Sequence, residues 1–468
     1  MKDKGFLKGT ITYALGDIIP KILAFISFPI LTSYLTTGDY GIVNYVNSLT
    51  MFLLVFNILG LNTYYLVHYH KCSSDEERQR LLGNLSIFIF FYNIGVLLLF
   101  SAGGFFFGKY VEAKIPFWPF VFIAVLSGFF NVFSLLPLAS LRLKQKSVQF
   151  AGLNIAKNIT QLGLTVIFVV FLRKAAIGVL YSILIANVVF FFYYAIYCYR
   201  HAIFKYDKEQ IVKALRFAVP LVPGSLAYLF INLLDRIIIA RYLTLGDLGL
   251  YGTATTLGFL INIISTGFYQ ALEPHIFKSY NTPGFRNEFK RIRSILLLVL
   301  LSAAMGLALF AREFLYFMSN KGFHIAYVYV PVILAGGIFS GLNLLYATVI
   351  TASGKTRVNS MNVIIGCAVS IGLNFILVPW IGITGAAIAF TAAFLIILLL
   401  SMAYSRFPIF AWQEIVVSLV WVACIYFLVY SFSPAPGIYS IAIKALTMVL
   451  FMVFAFKLLG IKGLKSLF

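Results

Sequence analysis

Two stretches of nine residues, Tyr34–Ile42 (YLTTGDYGI) and Tyr242–Leu250 (YLTLGDLGL), are near copies of each other 208 residues apart. Each joins the end of one long apolar run to the start of the next. The same offset carries Asn154 onto Asn362, and an offset of 207 carries Gly178 onto Gly385. The spacing predicts two repeated halves of six helices each, 9–200 and 214–405, with two extra helices after them. Six is an even number, so the halves enter the membrane in the same sense and are related by an axis along the membrane normal, as in transporters with parallel repeats. A channel or a membrane-bound synthase has less reason to be built this way.

Outward from the repeat, apolar runs of about 20 residues fill the chain, the length a helix needs to cross roughly 30 Å of hydrocarbon. Of the 468 residues 61% are hydrophobic and 11% charged, which excludes a soluble globular domain. Fourteen spans are predicted: 9–34, 41–67, 82–107, 116–139, 148–172, 176–199, 214–240, 248–273, 292–317, 326–351, 358–379, 382–405, 412–432 and 437–459. The fold class is thus an all-α polytopic membrane protein. Its parts are an N-terminal lobe (1–200), a linker (201–213), a C-terminal lobe (214–405) and two added helices (406–468). The N-terminal segment reads as the first span and not as a cleaved leader, because Asp17 and Lys21 interrupt it and no small-residue cleavage site follows.

The net charge of +21 has a topological reading. Alternating the spans puts 25 of the 36 Lys and Arg on the side that carries both termini. Seven lie on the other side (Lys109, Lys114, Arg173, Lys174, Arg241, Arg312 and Lys321) and four lie inside spans (Lys21, Lys157, Arg236 and Lys444). The bias predicts cytoplasmic termini. A nucleic-acid partner is not needed to explain the charge.

Polar residues within the spans fall on stripes. Thr10, Tyr13, Asp17 and Lys21 share a face of the first helix. Asn154, Lys157, Asn158, Gln161 and Thr165 share one of the fifth. Ser225, Tyr228, Asn232, Asp235 and Arg236 do so on the seventh, and Thr255, Asn262, Thr266, Tyr269 and Glu273 on the eighth. Helix-to-helix hydrogen bonding accounts for the isolated Ser, Thr and Asn. Lys21, Lys157 and Arg236 outnumber the carboxylates near them, and a hydrated cavity that receives an anion resolves the cost of such charge. Asp17 and Lys21 also have the spacing of a self-neutralising pair. Adjacent Asp235 and Arg236 are poorly placed to meet. Asp17, Asp235 and Glu273 are read as the membrane carboxylates on stripes, and so as places where a proton or sodium ion could couple. The thirteenth and fourteenth helices carry little beyond Lys444, which predicts that they flank the bundle.

Pro20 and Pro29 in the first helix, and Pro220 and Pro223 at the start of the seventh, mark bends at equivalent positions. No catalytic arrangement emerges. His68, His70, His201, His275 and His324 sit in loops or at span ends, and Cys72, Cys198, Cys367 and Cys424 show no paired spacing. Gly354–Thr356 lacks the upstream glycine of a phosphate-binding loop. Neither a cofactor nor a metal site is expected, nor an enzyme.

Three segments carry a family resemblance: YLTTGDYGIVNY at Tyr34–Tyr45, AVPLVPGSLAYLFINLLDRIIIARYLTLGDLGLYGTA at Ala218–Ala254, and SGKTRVNSMNVIIGCAVSIGLNFILVPWIGITGAAIAF at Ser353–Phe390. The chain resembles the polysaccharide flippases of the multidrug/oligosaccharidyl-lipid/polysaccharide (MOP) superfamily, of the Wzx type that handles O-antigen and exopolysaccharide repeat units. The resemblance implies two six-helix lobes in a V, alternately open to either side of a bacterial cytoplasmic membrane. It also implies a cationic cavity for the sugar-pyrophosphate head of an undecaprenyl-linked oligosaccharide. Lys21, Lys157 and Arg236, with Asn154, Asn158, Gln161 and Asn232 beside them, are the expected lining. Membrane lipids and polysaccharide-assembly proteins are the further partners implied. A drug or cation antiporter, which needs a carboxylate-lined cavity, and a lipid II flippase remain alternatives. An envelope polysaccharide polymerase, which needs an external carboxylate or histidine site, is the rival of another class.

Overall fold

A computed structural model describes residues 2–107, 114–280, 282–407, 410–431 and 437–459. The side chains of Asp17 and Asn232, like those of Thr10 and Tyr13, lie outside what it describes. The described residues are mostly helical, and none of them forms a strand.

Eighteen α-helices follow in order. They are α1 (Lys2–Tyr34), α2 (Thr37–Ile58), α3 (Leu61–Tyr69), α4 (Asp75–Phe107), α5 (Phe122–Val132), α6 (Leu135–Leu143), α7 (Ser147–Thr165), α8 (Ala175–His201) and α9 (Lys208–Ala218). After them come α10 (Val222–Tyr242), α11 (Leu245–Gly258), α12 (Leu260–Ser279), α13 (Phe285–Met318), α14 (Val330–Ala352), α15 (Thr356–Ile381), α16 (Ile383–Ser405), α17 (Trp412–Ile425) and α18 (Ile438–Leu458). Among the described residues thirteen helical stretches are long and apolar enough to cross a membrane, and a shorter apolar helix, Ile19–Tyr34, ends α1. The fourteen-span reading is borne out. Several spans are broken within: the second between α2 and α3, the fourth between α5 and α6, the eighth between α11 and α12.

The repeated stretches build the same local structure. Thr36 Oγ1 accepts from the Asp39 backbone N–H (3.1 Å), and Asp39 Oδ2 accepts from the Thr36 N–H (3.2 Å) and hydroxyl (2.5 Å). Thr244 and Asp247 repeat the arrangement at 3.1, 3.0 and 2.7 Å. This reciprocal cap satisfies amide groups that the first helical turn leaves unpaired, and the aspartate complements the positive helix end. The second pair of repeat positions agrees. A Cβ on Gly178, in the first turn of α8, would come within 3.2 Å of the Phe168 carbonyl oxygen. One on Gly385, in the first turn of α16, would come within 2.4 Å of the Leu377 carbonyl oxygen. In both halves the end of one helix crowds the start of the next; at Gly385 a Cβ would collide with backbone, and at Gly178 it would press its neighbours by a few tenths of an ångström.

The chain divides into two compact units, Met1–Arg241 and Tyr242–Phe468. The division falls at the end of α10, whereas the sequence reading places a linker at 201–213. Segment 208–218, read as linker and the start of the seventh span, is an amphipathic helix, α9, that runs on through the turn Val219–Leu221 into α10. Its Ile211, Ala214 and Ala218 are buried in a cluster with Leu61, Leu81, Leu85 and Leu136 of the first unit, while Val212 and Phe217 face outward. Pro220 lies in the tight turn Val219–Leu221, and α10 starts only after it. In the second unit α14 and α15 pack on α16, whose Ala386, Ala387, Ala389 and Ala393 are fully buried. Small side chains let the backbones approach where apolar area drives no association in lipid.

Candidate cationic site

Lys157 sits midway along α7, between Asn154, Asn158 and Gln161, all half-buried. Its Nζ donates to Asn131 Oδ1 near the end of α5, at 2.8 Å. The stripe is ordered along the helix: Asn158 Nδ2 donates to the Asn154 carbonyl (2.8 Å), and Thr165 Oγ1 donates to the Gln161 carbonyl (2.8 Å) and meets Ser182 Oγ at 2.7 Å. Helix α7 packs along α1 so closely that a Cβ on Gly16 would lie 2.8 Å from Ala151 Cα. Lys21, on α1, is exposed. Neither lysine has an ion pair with a described carboxylate.

Arg236 differs. It and Asp235 are both buried in α10, and the guanidinium Nη1 lies 3.2 Å from Asp235 Oδ1. The sequence reading that these neighbours are poorly placed to meet is corrected. The carboxylate folds back along its own helix, so that Oδ1 accepts at once from the Arg236 backbone N–H (2.7 Å) and from its side chain. Arg236 is therefore a neutralised cation. Helix α10 touches α2 through the edge-to-face pair Phe52–Phe230, whereas α7 packs on α1 and α8. In the second unit Glu273 accepts from the Tyr269 hydroxyl at 2.5 Å.

A family model described as polysaccharide biosynthesis protein matches residues 6–280. The chain belongs to that family.

Among curated relatives it is 23% identical over 282 residues to the Lsg locus putative protein 1 of Haemophilus influenzae, covering 58% of this chain and 66% of that one. It is 26% identical over 201 residues to the probable low-salt glycan biosynthesis flippase Agl15 of Haloferax volcanii, 41% of this chain and 39% of that one. It thus spans under two thirds of the length of either. Among solved structures, the lipid II flippase MurJ in an inward closed conformation shares the fold, with a TM-score of 0.78, 16% identity and coverage of 95% and 98%. An inward-facing multidrug resistance MATE transporter of the MOP superfamily does so at 0.64, with 13% identity and coverage of 84% and 97%. The resemblance read in the sequence is borne out at the level of family and of fold, and this polysaccharide biosynthesis family member is a multi-pass membrane protein.

Beyond Asp17, Asp235 and Glu273, the carboxylates read on the polar stripes, two buried ion pairs in the second unit bring in membrane carboxylates that lie off the stripes. Arg293 of α13, counted with the loop cations, meets Glu414 of α17 through two prongs, Nε–Oε1 at 3.1 Å and Nη2–Oε2 at 2.7 Å. Tyr346, Ser294 and the Ala411 N–H complete the network. Lys444 of α18 meets Glu313 of α13 at 2.6 Å, and Ser440 donates to the same oxygen. The signal was present, since Glu313 lies inside the apolar run 292–317 and Glu414 opens the run 412–432. Neither belongs to a polar stripe.

Proposed function

We propose that the chain is a flippase that carries a lipid-linked oligosaccharide, its head an undecaprenyl-pyrophosphate-linked sugar of the O-antigen or exopolysaccharide kind, across a bacterial cytoplasmic membrane by alternating access. The observation that carries the reading is Lys157, a half-buried ammonium in a membrane-spanning helix whose described partner is a neutral amide. Burying a charge without a counter-ion is costly, and an anionic head that visits the helix face resolves the cost. With Arg236, Arg293 and Lys444 each paired to a carboxylate, the free positive charge of the spans narrows, among the described residues, to Lys157 and Lys21. Alternation of the spans makes α1 and α7 parallel. Counted from the Gly16–Ala151 contact, Lys21 and Lys157 then stand about 7.5 and 9 Å further along, at one level.

Family membership and the MurJ-like fold support the same reading. A cation antiporter fits less well, because the buried carboxylates Asp235, Glu313 and Glu414 already hold cations. Asp17 and Glu273 are the coupling sites we propose for a proton or sodium ion. The test is transport in proteoliposomes of a defined undecaprenyl-pyrophosphate oligosaccharide, scored by its accessibility to an enzyme added outside. Protein-dependent transfer supports the function. Its absence, beside transfer of a cationic drug, overturns it.

A further inference from the structure

Apart from the α1–α7 stripe, the first unit holds two cavities stacked along α4 and α8 on consecutive helical turns. The first, of about 330 Å³, is lined by Tyr69, Asp75, Arg78, Lys144, Lys146 and His201. The second, of about 250 Å³, is lined by Phe90, Phe91, Phe133, Pro137, Phe191 and Phe204 among others. Leu82 in the first cavity is followed one turn later by Ser86 in the second, and His201 is one turn from Cys198. Ser86 and Cys198 touch at the join, 3.8 Å apart.

The polar cavity carries an excess of positive charge. Its one carboxylate, Asp75, is taken by Arg78 at 2.7 Å. Lys144 and Lys146 have no ion pair among the described residues, and Arg78 Nε is buried without a hydrogen-bond partner there. Burial, and next the neighbouring Lys146, push the Lys144 ammonium below its ordinary value, with Asp75 pulling the other way. A larger cavity nearby, about 690 Å³, shows the contrast: Lys71, Arg80, Lys205 and Lys208 are there offset by Glu77, Asp207 and Glu209. The apolar cavity opens outward between aromatic side chains, with Phe91 68% and Phe204 49% exposed. A cationic pocket one helical turn from an apolar groove, at the end of a membrane span, has the chemistry of an anionic lipid site.

We propose that these two cavities together bind one anionic phospholipid of the surrounding membrane, its phosphodiester between Arg78, Lys144 and Lys146 and an acyl chain in the groove of Phe90, Phe91 and Phe191. A cavity of about 330 Å³ is at the small end of ligand sites, which suits a phosphodiester headgroup better than an oligosaccharide. The proposal does not depend on the transported substrate.

The test places a tryptophan in the groove, Phe91→Trp, and reconstitutes the full chain in nanodiscs of phosphatidylcholine with a fraction of brominated lipid. Quenching is measured relative to the parent chain. Brominated phosphatidylglycerol should quench the introduced indole more than brominated phosphatidylcholine at the same mole fraction. Lys144→Gln and Lys146→Gln should each weaken the apparent affinity for phosphatidylglycerol about five-fold, the effect of about 1 kcal/mol per basic residue at a membrane surface. Monodisperse elution certifies the fold of each variant. Equal quenching by the two lipids overturns the proposal, as does a preference that survives the double variant. Loss of the preference on adding inorganic phosphate makes the pocket a general anion site and overturns the lipid assignment.

Discussion

Lys444 Nζ lies 2.6 Å from Glu313 Oε1, and both side chains are buried. Together with Arg293–Glu414 this fastens α18 and α17 to opposite halves of α13. Breaking such a pair strands a charge, while replacing both partners with apolar groups of similar volume is close to neutral. Glu313→Ala or Lys444→Ala should therefore cost about 3–5 kcal/mol. The double variant Glu313→Leu, Lys444→Met should recover most of it. Thermal unfolding in detergent, followed by tryptophan fluorescence, separates the two cases. Equal losses in single and double variants would exclude the pair as a stabilising unit.

Lys157 should matter for transport and not for assembly. Lys157→Gln removes the charge while keeping length and a donor, and it should reduce transfer of the lipid-linked sugar at least about ten-fold, the effect of losing one charge-assisted contact. Lys157→Arg should retain part of the activity. Membrane levels measured by immunoblot should match the parent. Full activity in Lys157→Gln would remove this residue from the binding face.

The twin caps give a local prediction. Thr36→Ala and Thr244→Ala should each destabilise by about 1 kcal/mol, and Ser at either position should restore the parent value. A cost at one site only would mean that the two turns, alike in geometry, differ in their contribution.

Orientation follows from the charge bias. A thiol reagent that does not cross membranes should leave Cys72 unlabelled in intact cells and label it in inverted vesicles. Burial first, and then Glu77, push the Cys72 thiol above its ordinary value, against Arg78. The reactive thiolate is then scarce at neutral pH, so labelling in inverted vesicles should accelerate as pH rises through the alkaline range. Labelling from outside intact cells would reverse the assigned topology.

Asp17→Asn tests coupling. Loss of the dependence of transport on an imposed proton or sodium gradient, with transfer itself retained, assigns coupling to Asp17. Unchanged dependence leaves Glu273 as the place to look, and Glu273→Gln is the next variant.

The sequence displayed the span count and the repeat because both are written in residue type at fixed spacing. An apolar run of twenty residues has few other uses, and Thr-Xaa-Xaa-Asp at both turns closes the same reciprocal cap. Side-chain pairing was less legible. Asp235 reaches Arg236 only by turning back against the helix, a rotamer that spacing does not reveal. Arg293 and Glu414 are 121 residues apart and Glu313 and Lys444 are 131 apart, so only the packing of α13, α17 and α18 joins them. The α9 helix was hidden for another reason. Its Ile211, Ala214 and Ala218 lead straight into the proline turn and the apolar run of α10, so periodicity passes from a surface helix into a span without a break.

Those sequence separations set a timetable for biogenesis. Helix α13 leaves the ribosome with Arg293 and Glu313 in place, but Glu414 and Lys444 are still unmade. At about 5–20 residues per second the wait is roughly 6 to 26 seconds. Throughout it, a newly inserted helix carries two ionisable groups without their partners. The insertion machinery must shelter α13 for that interval, or the helix must stay at the interface until the last two spans arrive. Ribosomes stalled just after residue 406 should leave a cysteine placed in α13 open to an aqueous thiol reagent, and release of the full chain should protect it.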